Sequence, residues 1–222
     1  MKVKDARLIT GHKTGLGRTS KMPGYSTALS ARDCVTGVQL NKKEGTICSR
    51  CYALRGNYVF PDVIGSHERR LTALGSAEWV VNMAFLINRR CIATDYELSY
   101  FRWFDSGDIQ NLDHLIKIMA VVRKTPEVKH WLATRELLTL FKYDRLVKHG
   151  LQEHPPGNVV VRVSSTMFGQ APLTSVPSWA NTSTVHWGDA DRTCPARTQN
   201  NSCGDCRSCW DSTCSNINYP RH

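Results

Sequence analysis

Residues 100–108 read Tyr100-Phe101-Arg102-Trp103-Phe104-Asp105-Ser106-Gly107-Asp108. The first five residues are mostly aromatic, which is typical of a buried strand, and the polar turn that follows marks the end of that strand. Asn111 can then cap a helix whose apolar residues recur at helical spacing until Pro126. This stretch therefore predicts one complete strand–helix unit.

The same unit recurs along the chain on both sides of this stretch. Further strands are predicted over 25–30, 129–133, 158–163 and 184–187. A second helix, rich in leucine, follows Glu136 and ends at Gly150. Strands that alternate with helices form parallel sheets with right-handed crossovers. We therefore expect an α/β protein with a partial (β/α) barrel or an open parallel sheet of four to six strands.

Two helices are predicted between the first two strands. Ser66 can cap the first of them, which stops at Gly75. Ser76 can cap the second, in which apolar residues from Trp79 to Ile87 recur at helical spacing.

Seven of the nine cysteines form two sets at the two ends of this α/β region. The N-terminal cysteine set is Cys34, Cys48 and Cys51, in a segment over 34–51 that we expect to be a long loop. The tail cysteine set is Cys194, Cys203, Cys206 and Cys209. Two-residue gaps allow neighbouring thiolates to converge on one metal centre. No signal peptide is evident, so the thiols are expected to stay reduced, which favours metal ligands over the alternative of disulfides.

The spacing is compatible with iron–sulfur clusters and with zinc. A [4Fe–4S] cluster on the N-terminal set would have three thiolates and one open iron, whereas the tail set could saturate a second cluster. Alternatively, Cys48 and Cys51 could join Cys206 and Cys209 in a structural zinc site. The Cys-x2-Cys-x2-Cys run of the tail favours iron–sulfur. The remaining thiols are Cys91, expected in the core, and Cys214, a spare ligand.

Polar residues follow three of the predicted strands. Because the carboxyl ends of parallel strands meet at one edge of the sheet, these residues and the N-terminal cysteine set should lie together there. The candidate catalytic residues are Asp105, Asp108, Arg135 and Glu136, and the candidate cofactor-binding residues are Ser106, Gly107, Ser164 and Ser165. Helix capping is the alternative role for Asp108 and Glu136. Arg135 could instead pair with Asp105 or Asp108, and Trp103 and Trp131 are expected to fill the core.

The net charge of +10 is concentrated near the N-terminus, where the first 60 residues carry eleven Lys/Arg against three Asp/Glu. This excess predicts contact with a polyanion such as nucleic acid, with a solubilising surface as the alternative. No apolar run is long enough to cross a membrane, and a cytoplasmic location is expected. The length predicts one domain over 1–190 and a cysteine-rich metal-binding tail over 191–222 packed on it.

Three segments, 48–53, 104–108 and 203–210, resemble a family of uncharacterised phage-encoded cysteine-rich proteins. The resemblance extends over about residues 22–211 and implies the cytoplasm of an infected host cell, but it implies no established activity.

At greater distance the layout resembles radical S-adenosylmethionine (SAM) enzymes. That resemblance implies that the N-terminal set holds the cluster whose open iron binds SAM, and that the reduced cluster cleaves SAM to a 5′-deoxyadenosyl radical. The 106–108 turn would meet the methionine amino group, and the tail set would hold an auxiliary cluster. We therefore expect an iron–sulfur enzyme. The alternative is a basic nucleic-acid-binding or host-interaction protein with structural zinc or a structural cluster.

Overall fold

The computed structural model describes residues 1–92, 99–186 and 193–220, in which six parallel strands form one open sheet. The strands are β1 (Tyr25–Thr27), β2 (Tyr100–Trp103), β3 (Lys129–Thr134), β4 (Val159–Ser164), β5 (Asn181–His186) and β6 (Asn216–Pro220). Their spatial order follows the chain order, and every neighbouring pair is parallel. With right-handed crossovers, this order places the connecting segments on a single face of the sheet. The expected α/β class with a parallel sheet is confirmed.

Helices form a layer over one face of this sheet. The helices are α1 (Val3–Ile9), α2 (Val35–Asn41), α3 (Pro61–Ala73), α4 (Trp79–Cys91), α5 (Leu112–Arg123) and α6 (Leu137–Lys148). Helix α1 packs on α4, α4 on α5, and α5 on α6. The side chains of Phe101, Trp103 and Leu132 are fully buried beneath this layer. Because side chains alternate along a strand, the residues next to these three in sequence point away from the helices. We call this second face of the sheet the inner face.

The inner face carries Ser26, Arg102, Trp131 and Arg162, and the cysteine-rich tail covers part of it. Trp210 of the tail contacts the ring of Trp131 edge-on, with 5.3 Å between ring centroids, and its Nε1 donates to the carbonyl of Phe101 at 3.1 Å. The tail is thus anchored to the sheet by its own aromatic residue.

Arg162 on β4 binds the same tail segment from the inner face of the sheet. Its side chain is completely buried and donates hydrogen bonds to four tail carbonyls. The acceptors are Ser208 (2.8 Å), Cys209 (3.2 Å), Asp211 (2.8 Å) and Cys214 (2.8 Å). The expected domain boundary between 190 and 191 lies outside the described residues and stays a prediction.

Several local predictions were wrong. Helix α3 begins at Pro61, a favourable first helical residue, so Ser66 lies inside the helix and does not cap it. The segment 34–51, expected to be a loop, contains α2 and a 3-10 turn over Cys48–Arg50. Ser76 precedes α4 by three residues, and its hydroxyl accepts from the amide of Glu78.

The sheet also differs from expectation in its last strand along the chain. Strand β6 was not predicted, because its two asparagines and terminal proline are poor strand formers. Pairing of all five β6 residues with Thr182–His186 of β5 overrides that local preference. Strand β5 was expected to include Trp187, which lies outside the described residues. Among the helices that the structure describes, none has the length and apolar character needed to cross a membrane.

Candidate functional site

The turn after β2 is bent sharply and packs against the segment that leads to Cys34. Phe104 has a φ of 65°, in the left-handed region, which is strained for a bulky residue. Gly107 has a φ of 82°, and a Cβ there would lie 2.6 Å from the Cβ of Leu29. Only glycine satisfies both the conformation and the close approach. This turn therefore holds the end of β2 against the chain just after β1.

Asp108 joins the ends of β2 and β3. Its Oδ1 accepts from Thr134 Oγ1 (2.6 Å) and from the amide of Ile109 (2.8 Å), and its Oδ2 accepts from the amide of Arg135 (2.8 Å). Burial raises the pKa of Asp108 to about 6, although the hydrogen bonds from Thr134 and Arg135 oppose this shift. Asp108 does not cap α5. That role belongs to Asn111, whose side chain accepts from the amide of His114, as predicted.

Glu136 is the N-cap residue of α6, but its side chain forms no capping hydrogen bond there and instead caps α2. Its Oε1 accepts from the amide of Thr36 (2.7 Å) and its Oε2 from the hydroxyl of Thr36 (2.8 Å). Thr36 lies in the first turn of α2, where free amides favour a carboxylate. Glu136 therefore ties the end of β3 to the segment that carries Cys34.

The N-terminal cysteine set lies at this same edge of the sheet. Burial raises the pKa of the Cys34 thiol, and the nearby Asp108, Cys51 and Cys48 raise it further. Burial also raises the pKa of the Cys48 thiol, but the guanidinium of Arg135 acts in the opposite direction. The three thiols are thus close enough to influence one another, with Arg135 as the nearby cation. The expected placement of this set beside the strand ends agrees with the structure.

Gly37 was missed by the sequence analysis. A Cβ at this position would lie 3.4 Å from Cys34 Sγ, 3.9 Å from Cys48 Sγ, and only 2.7 Å from Cys34 Cβ. Glycine in a helix costs stability relative to alanine, so its presence inside α2 is the signal that a close contact forms there. Without a Cβ, Gly37 allows the backbone of α2 to lie close to both sulfurs.

The tail cysteine set forms a second neighbourhood of thiols. Burial, Cys194 and Cys206 raise the pKa of Cys203. Burial raises the pKa of Cys209 to about 11, while the hydroxyl of Tyr219, 3.2 Å from its Sγ, acts in the opposite direction. The nine cysteines form no disulfide with one another. Within the described ranges, no three His, Cys, Asp or Glu side chains are grouped so as to hold one metal ion.

The candidate serines differ in their contacts. The hydroxyls of Ser106 and Ser165 are buried and have no hydrogen-bond partner in the described part of the chain. Ser164 accepts a hydrogen bond from Ser183 at 3.1 Å. Arg135 donates from Nε to the carbonyl of Ser165 at 3.3 Å. Among the described residues Arg135 forms no ion pair with Asp105 or Asp108, which was the alternative role for its side chain. Its contact with Asp108 is made by the backbone amide.

Asp105 and Arg102 lie close together where the inner face of the sheet meets the carboxyl end of β2. The backbone carbonyl of Asp105 accepts from the hydroxyl of Tyr52 at 2.5 Å, and its carboxylate lies within electrostatic range of Arg102. Arg102, which the sequence analysis did not single out, has its guanidinium 4.5 Å from the ring centroid of Trp131. Trp103 and Trp131 are both buried as expected, and the ring of Trp131 also contacts the guanidinium of Arg102 on the inner face.

Comparisons with known proteins give one match. The model of a family described as “Gene product 88” matches residues 2–212. No curated protein and no solved structure matches the chain. The expected resemblance to a phage-type family is confirmed, and the resemblance to radical SAM enzymes receives no support from these comparisons.

Proposed function

The chain belongs to the gene product 88 family, a phage-type family, and we propose that it is an iron–sulfur protein. The proposed [4Fe–4S] site is the N-terminal cysteine set, Cys34, Cys48 and Cys51. The observation that carries the proposal is the convergence of Cys34 and Cys48 at the strand ends, since both sulfurs lie within 4 Å of one point beside Gly37.

A [4Fe–4S] cluster is proposed at this site in preference to a single zinc ion. Four zinc–sulfur bonds of about 2.3 Å require the sulfurs to lie within about 4 Å of one another. The described cysteines are not grouped in that way. A [4Fe–4S] cluster distributes its thiolates over different irons and accommodates wider separations. The Cys-x2-Cys-x2-Cys run of the tail favours iron–sulfur in the same way, and three thiolates at the N-terminal set would leave one iron open to a ligand.

The residues around the N-terminal cysteine set would help it to bind a cluster. Burial opposes ionisation of Cys34 and Cys48, so their thiolates need a positively charged centre, and Arg135 adds a cation beside Cys48. Glu136 fixes α2 through Thr36 and so orients the backbone at Cys34. Because protein donors occupy both oxygens of Asp108 and Glu136, the unpartnered hydroxyls of Ser106 and Ser165 are better placed to contact a ligand.

The finer part of the proposal is redox chemistry with SAM as cosubstrate. A reduced cluster with an open iron supplies one electron at a time to a bound molecule. In this protein the 106–108 turn and Ser165 would orient that molecule at the strand ends. Asp105 remains the candidate acid–base residue, because its carboxylate forms no ion pair in the described residues. The tail set would hold a second, saturated cluster.

Metal analysis tests the proposal directly. The full-length protein, purified without oxygen, is expected to contain iron and acid-labile sulfide at about four or eight per chain. Replacement of Cys34, Cys48 and Cys51 by alanine should remove about four of each. The matched control Cys91→Ala, which removes a core thiol outside both sets, should leave the content unchanged. Stoichiometric zinc without sulfide would refute the cluster, and reduced protein that forms no 5′-deoxyadenosine from SAM would refute the SAM step alone.

A second candidate function is contact with nucleic acid, which a basic groove favours. A groove of about 290 Å³ beside the start of β1 is lined by Arg18, Lys21 and Arg207, with Cys203 in its wall. Phosphate contacts by such side chains would make binding weaken steeply as salt increases. Oligonucleotide binding that is undetectable at low salt, or unaffected by Lys21→Ala, would exclude this groove as the interface.

A further inference from the structure

Three buried polar groups stand side by side on the inner face. Ser26 on β1 is in register with Arg102 on β2, which is in register with Trp131 on β3. Ser26 Oγ, Arg102 Nε and Trp131 Nε1 are all buried, and none has a hydrogen-bond partner among the described residues. A buried donor without an acceptor costs about 1–3 kcal/mol. Three such groups in one row point to a ligand that supplies acceptors.

More donors of the same kind lie at the adjoining strand ends. Arg70 Nε, Ser106 Oγ and Ser165 Oγ are also buried and unpartnered within the described residues. Arg70 reaches this edge from α3, since its Nη1 donates to the carbonyl of Ala28, just after β1, at 3.1 Å. In the described part of the chain, only Arg7 and Asn88 carry such atoms outside this group. The unpartnered donors are therefore concentrated along β1–β4.

The charge of this region is positive. Arg102 forms no ion pair within the described ranges. Its Nη1 donates to the thioether sulfur of Met22 at 3.2 Å, a weak acceptor. Asp105 lies within electrostatic range of both Arg70 and Arg102, so one carboxylate faces two guanidinium groups. Burial of a cation is costly unless an anion and hydrogen-bond acceptors compensate it.

We propose that the row of Ser26, Arg102 and Trp131 binds an oxyanion, the carboxylate or phosphate group of a small molecule. A guanidinium presents parallel N–H groups that match such an anion. The hydroxyl of Ser26 and the indole N–H of Trp131 supply further donors from the neighbouring strands. The Trp131 ring beneath the guanidinium holds it in place by a cation–π contact.

The burial of the row favours a small molecule over a polymer. Ser26 is 1% exposed and Trp131 is 6% exposed, so the backbone phosphates of a nucleic acid lying on the surface could not reach both. Tyr52, next to Cys51, lies within electrostatic range of Arg102. The anion would therefore anchor a molecule near the N-terminal cysteine set. Its identification as the enzyme's substrate rests on the proposed function, whereas its binding does not require a cluster.

Calorimetry on the full-length protein, purified without oxygen, tests this site. Inorganic phosphate and acetate are titrated separately at an ionic strength matched with chloride, in batches whose iron content has been measured. We expect saturable binding of one anion, which also distinguishes a phosphate from a carboxylate ligand. Arg102→Met should weaken that binding at least about tenfold, because a hydrogen-bonded charge is lost. The matched control Arg89→Met, which removes an exposed arginine near the end of α4, should not change it.

Two further variants keep the test decisive if Arg102→Met does not fold. Ser26→Ala removes only a hydroxyl and should weaken binding severalfold, and Arg102→Lys keeps the charge but loses the paired donors. The absence of saturable binding of both anions, or equal binding by wild type and by these variants, would overturn the proposal. Oligonucleotide binding that depends on Arg102, without phosphate binding, would also overturn it. Anion binding by batches without iron and sulfide would uphold the site while refuting the proposed cluster.

Discussion

Single residues at this site mainly hold other groups in position. Asp108 and Glu136 were predicted to be catalytic, but protein donors engage both oxygens of each. They connect the ends of β2 and β3 to each other and to α2. Their catalytic assignment stays a prediction, and their contacts indicate positioning. Gly37 contributes in a different way, by allowing the backbone of α2 to lie close to Cys34 and Cys48.

Gly37→Ala is expected to reduce the iron and sulfide content of the N-terminal set to a small fraction of wild type. The added Cβ would lie 2.7 Å from Cys34 Cβ, so Cys34 or α2 would have to move. Alanine is the better helix former by about 0.5–1 kcal/mol, so global stability should change little. Anaerobic metal analysis together with urea unfolding measures both effects.

Gly157→Ala is the matched control, because a Cβ at that position meets no atom within 4 Å. A Gly37→Ala protein with wild-type iron and sulfide would show that the close approach of α2 to the two sulfurs is not required for the cluster.

Among the structural elements, the cysteine-rich tail depends most on a residue far away in sequence. Arg162, in the middle of β4, donates to four tail carbonyls and is completely buried. It forms no ion pair in the described part of the chain, so these carbonyls are its main compensation. These hydrogen bonds therefore hold the tail against the inner face without the help of a metal.

Arg162→Met should lower the free energy of unfolding by at least about 3 kcal/mol, because several buried carbonyls lose their donor. It should also expose the tail, so that trypsin cleaves after Arg207 faster than in the wild type. Urea unfolding and mass spectrometry of limited digests measure these effects. The exposed Arg145→Met is the control. Equal stability and equal cleavage of Arg162→Met and wild type would contradict this account of the tail.

At the scale of the whole molecule, three buried histidines make stability depend on pH. Burial lowers the pKa values of His12, His114 and His130 to about 3. For His130 the contacts agree with this shift. Trp103 Nε1 donates to its Nδ1 at 3.2 Å, so a proton on Nδ1 would meet another donor. Its Nε2 lies 2.8 Å from Thr125 Oγ1, which itself donates to the carbonyl of Val121.

The free energy of unfolding should therefore fall as the pH decreases from about 6.5 to about 3. In this range the unfolded chain takes up protons on these histidines, whereas the folded protein does not. Each histidine contributes a slope of about 1.4 kcal/mol per pH unit, and its contribution is fully present above pH 6.5. Urea unfolding at several pH values should show a slope smaller by one such contribution in His130→Asn. Substitution of the exposed His149 is the control, and an unchanged slope in His130→Asn would contradict the assignment.

The sequence by itself determined the alternation of strands and helices, the parallel sheet and the edge at which polar strand ends meet. These features depend on local composition and on general rules of chain connection. The division of seven cysteines into two sets follows from their spacing, and their role as metal ligands stays a prediction. Local patterns were weakest where they were short: α2 and β6 are stabilised by Thr36–Glu136 and by β5, which are distant in sequence.

Only the tertiary structure decided which residues meet on the inner face. The row of Ser26, Arg102 and Trp131 unites three strands, and its members are more than 25 residues apart in the chain. Whether a buried arginine has a partner depends on every segment packed around it, and no local pattern contains that information. For the same reason, Arg162 and Gly37 became visible only when the tail and α2 were placed against the sheet. Long-range packing, not propensity, assigns these residues their roles.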